Sequence, residues 1–107
     1  PTTVRVVVPV RLYGDTEDPR SSTYPDHRVT KTLKLPFNFI PNILDLAHCY
    51  TRNGGKTVRL AVNVYSTTWD EVLNLLIVHG EVQSWHQPSF QHAIDTMGEF
   101  GWEMEEI

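Results

Sequence analysis

An α+β fold is predicted, a two-layer sandwich in which helices cover one face of a four-stranded mixed sheet. Three observations lead there. Val4–Leu12 and Val58–Tyr65 alternate with a period of two, as half-buried strands do. Three other stretches repeat apolar residues at helical spacing and end at glycine. The chain of 107 residues is one domain, 1–107, with room for a modest core.

Val4, Val6, Val8, Val10 and Leu12 form one face of the first strand, and Gly14 ends it. Pro9, on the opposite face, has no amide to donate and predicts an edge or a bulge. Residues 15–26 are polar, with Pro19 and Pro25, and read as a long loop. Val29, Leu33, Leu35 and Phe37 then resume the alternation, with Lys31 on the same face, so the first two strands form a hairpin with a long connection.

Pro41 suits the first turn of a helix. Ile43, Leu44, Ala47 and Tyr50 follow at helical spacing, and Asn53-Gly54-Gly55 supplies the stop. After the third strand, Thr68-Trp69-Asp70-Glu71 matches a capping box, in which hydroxyl and carboxylate satisfy free backbone amides. Trp69, Val72, Leu73, Leu76 and Ile77 would be the buried stripe of that second helix, with Gly80 as its end. Residues 81–87 connect to a third helix opened by Pro88, with Phe90, Ala93, Ile94 and Met97 on one face and Gly98 or Gly101 after it. A strand from Trp102 to Ile107 closes the order β-β-α-β-α-α-β. The opening hairpin, helix and third strand resemble the β-grasp layout.

Charge is divided along the chain. The first 59 residues hold all nine lysines and arginines against five acids, and residues 60–107 hold eight acids and no lysine or arginine, for a net charge of −4. Such asymmetry points to a charged partner or to pairing within the fold. The internal arrangement would set Glu103 and Glu105 against Arg5, Arg11 or Arg59 across strands, at a few tenths of a kcal/mol each, roughly. The external one would present Glu81, Asp95 and Glu99, with Glu103, Glu105 and Glu106, to a basic partner.

Chemical motifs are sparse. Pro1-Thr2-Thr3-Val4-Arg5-Val6 resembles the start of tautomerase-superfamily chains. That resemblance implies a general base at the Pro1 amine, although the proline-rich loop and second strand depart from the family's strand–helix–strand order. His79, His86 and His92 are close in sequence, but their spacing matches no established zinc pattern, so no metal and no cofactor is expected. Cys49 is the one cysteine, which excludes an internal disulfide and fits a structural thiol in a reducing compartment. No serine sits in a nucleophile elbow. Asn53-Gly54-Gly55-Lys56-Thr57 lacks the first glycine of a phosphate loop and leads into a strand. Glu105 and Glu106 alternate to opposite faces of a strand and make a poor acid–base pair. No segment has the length of a membrane span or the pattern of a signal peptide, and a cytoplasmic protein is expected.

The expected function is therefore a non-enzymatic protein–protein interaction module, an inhibitor or adaptor using its acidic C-terminal half, with a homodimer as one form of association. Trp85 and His86 in the connector, with Glu81, Asp95 and Glu99, are the candidate contact residues. One alternative is a small enzyme or ligand binder built on Pro1 or on His79, His86 and His92. Another is nucleic-acid binding by a basic face of Arg5, Arg11 and Arg59 with stacking by Tyr13 and Tyr65, disfavoured by the negative total charge and the lack of a recognition motif.

Overall fold

The computed structural model describes residues 2–11, 27–50, 56–86 and 90–107, without side-chain detail at 47–50, 56–58, 84–86, 90–93 and 96. Among these residues the protein is mostly strand. The elements are β1 (Thr2–Val10), β2 (His27–Leu35), β3 (Ile43–Tyr50), β4 (Lys56–Asp70), β5 (Leu75–His86), α1 (Phe90–Glu99) and β6 (Glu103–Glu106). They form one six-stranded sheet in the order β3-β4-β5-β1-β2-β6. β1 and β5 run parallel, and the other neighbouring pairs are antiparallel. The expected three-helix sandwich over a four-stranded sheet, and with it the β-grasp layout, is therefore replaced by a single mixed sheet and one helix.

Two of the expected helices are strands. The first lies at Ile43–Tyr50, which pairs with β4 from Ile43↔Asn63 to Tyr50↔Lys56. Its residues support either period: Ile43, Leu44 and Ala47 suit a helix, whereas Leu44 and Leu46 suit a strand face. Pairing decides between them, because Leu44 and Leu46 stand opposite Val62 and Leu60 and join the core. Asn53-Gly54-Gly55, expected as a helix stop, lies outside the described residues, as do Pro1, Tyr13 and the loop at 15–26.

The second correction is larger. The segment expected as a capped helix is the far end of a β4–β5 hairpin, in which Thr67↔Val78, Thr68↔Ile77, Trp69↔Leu76 and Asp70↔Leu75 are paired. The connector expected at 81–87 is a continuation of β5 through His86. Gly80, expected as a helix stop, is buried inside β5 opposite Val64. A Cβ there would lie 2.1 Å from Val62 Cγ1, so only glycine lets the two strands approach beside the register shift between Val64 and Ser66.

Other expected elements are present. Val4, Val6, Val8 and Val10 of β1 are buried, and Val8 stands opposite buried Val29 of β2. β1 is an inner strand rather than an edge. Pro9 is accommodated because β5 pairs with β1 only from Val4 to Val7, so the missing amide falls beyond that ladder. α1 follows Pro88 and buries Met97 completely. Gly101 then takes a positive φ of 86°, and the amide of Trp102 donates to the carbonyl of Met97 at 2.9 Å. This turn seats Trp102 in the core, as its periodicity predicts.

α1 touches β3 and β4, and β6, which follows it in the chain. Met97, Trp102 and Ile94 cover the central strands, joined by Phe37 and Ile40 from the segment before β3. The end of the β4–β5 hairpin extends beyond this cover.

Candidate functional site

The β4–β5 hairpin is built from the longest strands of the sheet, and its turn carries Val72, the most exposed large apolar residue among those described. Leu33, Val4, Leu76 and Trp69 stand side by side across β2, β1, β5 and β4. Burial falls along that row. Val4 is fully buried, Leu33 and Leu76 are partly buried against the core, and Trp69 is 59% exposed. Trp69 was expected in the core by helical periodicity and instead lies at the rim. Beyond it, Val72 is 94% exposed and Leu73 is 45% exposed.

The turn that presents these side chains is pinned. Residues 71–74 form the connection between the strands. The amide of Leu73 donates to Asp70 Oδ1 at 3.0 Å, and Asn74 adopts a left-handed φ of 55°. A carboxylate accepting a backbone amide three residues on is the same bond a helix N-cap makes, here made by Asp70 in a turn rather than by the Thr68 and Glu71 of the expected capping box. Asn is among the few residues that enter the left-handed region readily. Asp70 and Glu71 make the tip acidic as well as apolar.

The other candidate residues do not assemble around this tip. Glu81 is exposed on β5 opposite Asn63. Asp95 and Glu99 lie on α1, and Trp85 and His86 pair through the backbone with Leu60 and Arg59 at the opposite end of the hairpin. The side chains of Trp85, His86 and His92 lie outside the described detail, and His79 stands half-buried on β5 opposite Ser66. No cluster of three or more potential metal ligands occurs among the described residues.

The basic residues are dispersed too. Arg5 stands beside Ile77 of β5 and Arg59 beside His86. Nine residues of strand separate those two positions, roughly 30 Å at 3.3 Å per residue. Arg59 is moreover held by a carboxylate. Its Nε donates to Asp45 Oδ1 at 3.1 Å and its Nη2 to Asp45 Oδ2 at 2.9 Å. The hydrogen bond from Arg59 holds the Asp45 carboxyl below its ordinary range, against an opposing effect of desolvation and with a lesser contribution from the guanidinium charge. The reciprocal bond and charge raise Arg59 further above its already high value.

Part of the charge asymmetry is internal. Arg28 Nε donates to Glu105 Oε1 at 2.6 Å, joining the basic half to the acidic half where β2 and β6 pair at Arg28↔Glu105. The partner is Arg28, not the Arg5, Arg11 or Arg59 expected from sequence. Glu103 stands opposite Thr30 in the same ladder.

No helix among the described residues is long and apolar enough to cross a membrane. Comparison with protein-family models, with curated proteins and with solved structures returns no match.

Proposed function

We propose that the chain is a protein–protein interaction module and that the β4–β5 tip is its contact surface. The carrying observation is the exposure of Trp69 at the end of β4 together with Val72 and Leu73 on the turn fixed by Asp70 and Asn74. Single exposed apolar residues are ordinary and need no explanation. Three within five residues, on a turn held by its own hydrogen bond, form an anchor of the kind that contributes most of an interface's binding energy. Full burial of each aliphatic side chain in a partner's pocket is worth about 1.5–3 kcal/mol. Asp70 and Glu71 beside them select a partner whose apolar cleft has a cationic rim. The acidic half thus contributes through these two residues rather than through Glu81, Asp95 and Glu99.

A nucleic-acid reading has less support, because Arg5 and Arg59 lie far apart and Arg59 is occupied by Asp45. A ligand-binding reading centred on histidine has no described cluster to use.

The test is photo-crosslinking in extract of the native host, with the reactive side chain at position 72 or, as control, at exposed Lys34 on β2. A defined protein should be captured from position 72 alone. Its affinity for the purified chain should fall by about 2 kcal/mol or more in Trp69→Ala and weaken as salt rises. Equal capture from both positions, or full affinity in Trp69→Ala and Val72→Asp, would sink the reading.

A further inference from the structure

A second feature lies on the other side of the sheet. β6 pairs with β2 only from His27 to Thr30, so from Lys31 onward β2 has no strand on that side among the described residues. The step where β6 begins leaves an open notch of about 170 Å³ lined by Arg5, Thr30, Lys31, Thr32, Gly101 and Glu103.

The register explains why these residues meet. Arg5 of β1 stands directly opposite Thr32 of β2, and Thr30 lies two residues along the same strand and face. Glu103 stands opposite Thr30 from β6. Gly101 forms the end wall with its positive φ, and the Lys31 stem lies 4.0 Å from where a Cβ on Gly101 would be. Lys31 Nζ sits 6.0 Å from the centroid of the Phe100 ring.

One atom is out of keeping with an inert surface. Arg5 Nε is buried and has no hydrogen-bond partner. Buried donors are nearly always paired, and a donor left without a partner forfeits about 1–3 kcal/mol. Arg28 on β2 and the distant Arg59 on β4 each have a carboxylate on Nε. We propose that the notch is a binding site for a small oxyanion, a carboxylate or a phosphate, received by the Arg5 guanidinium and the hydroxyls of Thr30 and Thr32. A planar guanidinium matches an oxyanion with two parallel hydrogen bonds, and threonine hydroxyls can donate to the remaining oxygens. On the face of the threonines Arg5 is balanced by Glu103, and Lys31 approaches from the other face of β2. Glu103 opposes the anion and limits its affinity. The site is separate from the hairpin tip and stands or falls independently of it.

The experiment is an amide NMR titration of the full chain with sodium acetate and, separately, with inorganic phosphate, each against sodium chloride at equal ionic strength. Saturable shifts at Lys31, Thr32 and Gly101 with either oxyanion, but not with chloride, are expected, and the anion that saturates names the source. Arg5→Gln should weaken binding at least tenfold, and Glu103→Gln should tighten it several-fold. Thr32→Val is the second variant should Arg5→Gln fail to fold, and it too should weaken binding. Shifts identical to those in chloride, or unchanged affinity in the folded Arg5 or Thr32 variant, would overturn the proposal. So would weaker binding in Glu103→Gln.

Discussion

β1 and the far end of the β4–β5 hairpin are both rich in apolar residues, yet one is buried in the core and the other stands exposed. In β1, Val4, Val6, Val8 and Val10 are buried in one cluster with Met97 of α1 and Trp102. At the tip, Trp69, Val72 and Leu73 stand in solvent although Trp69 continues the row that begins at Leu33 and Val4. The difference is one of cover. A single ten-residue helix spans about 15 Å, enough for the centre of the sheet and not for the end of a hairpin whose strands are 15 and 12 residues long. Apolar content alone does not say which face is core. The element laid over it does.

The largest expected effect comes from weakening that cover. Met97 is fully buried where α1 meets the core. Met97→Ala should destabilise the fold by about 2–5 kcal/mol, since the removed side chain leaves a cavity that the sheet cannot collapse into. Urea denaturation would show a lower midpoint with an unchanged slope. If the midpoint did not move, α1 would not be what distinguishes β1 from the tip.

Gly80 tests the junction between the two regions. It lies where β4 and β5 leave the covered centre, and an added Cβ meets Val62 at 2.1 Å. Gly80→Ala should cost about 1–3 kcal/mol through overpacking of Val62. Gly98, which has nothing within 4 Å of an added Cβ, is the control. Gly98→Ala should be near neutral in the same thermal melts, and equal effects at the two glycines would refute the close approach.

Asp70 tests whether the tip is held or merely extended. Its carboxylate accepts the Leu73 amide. Asp70→Ala should cost about 1 kcal/mol, the value of a comparable side-chain cap, and should speed hydrogen exchange at Leu73 while leaving the β1 amides protected. Loss of protection in β1 as well would mean that the two regions unfold as one unit.

This contrast was only partly legible in the sequence. The valines of β1 and the alternation at Val58–Val64 predict strands because one period alone fits them. Phe90, Ile94 and Met97 predict α1 for the same reason. The β3 segment reads as a helix in sequence because Ile43, Leu44, Leu46 and Ala47 satisfy both periods, and only pairing with β4 selects one. The hairpin end reads as a helix for a chemical reason. Thr68, Asp70 and Glu71 are residues that cap either a helix or a turn, and Leu75–Val78 is an unbroken apolar run that fits a helix or a buried strand. Trp69, Val72 and Leu73 were visible as an apolar group, but as a core stripe. Their exposure is a property of where α1 lies, which no local pattern encodes. The notch at Arg5 had no local signal either, since it depends on β6 stopping short of Lys31.

The smallest expected effect lies at the remaining edge, where Asp45 of β3 and Arg59 of β4 pair in solvent. The two sit diagonally on one face, since Asp45 is opposite Ala61 and Arg59 opposite Ala47. The Asp45 carboxyl is depressed in the folded state chiefly by the hydrogen bond from Arg59. A depressed carboxyl stabilises the fold above its unfolded pKa, and that contribution fades as pH falls through the folded value. The window therefore lies below about pH 4, the ordinary aspartate range. Both side chains are exposed, so the pair is screened and its contribution is slight. Asp45→Asn should be marginally less stable than the parent at pH 7 and indistinguishable from it at pH 2 in urea titrations, with the difference at pH 7 shrinking in high salt. A difference that persists at pH 2 would mean that Asp45 supports the edge of the sheet by packing or backbone contact rather than by charge. The exposed edge and the exposed tip would then be held by different means, the tip by a turn bond and the edge by packing along β3.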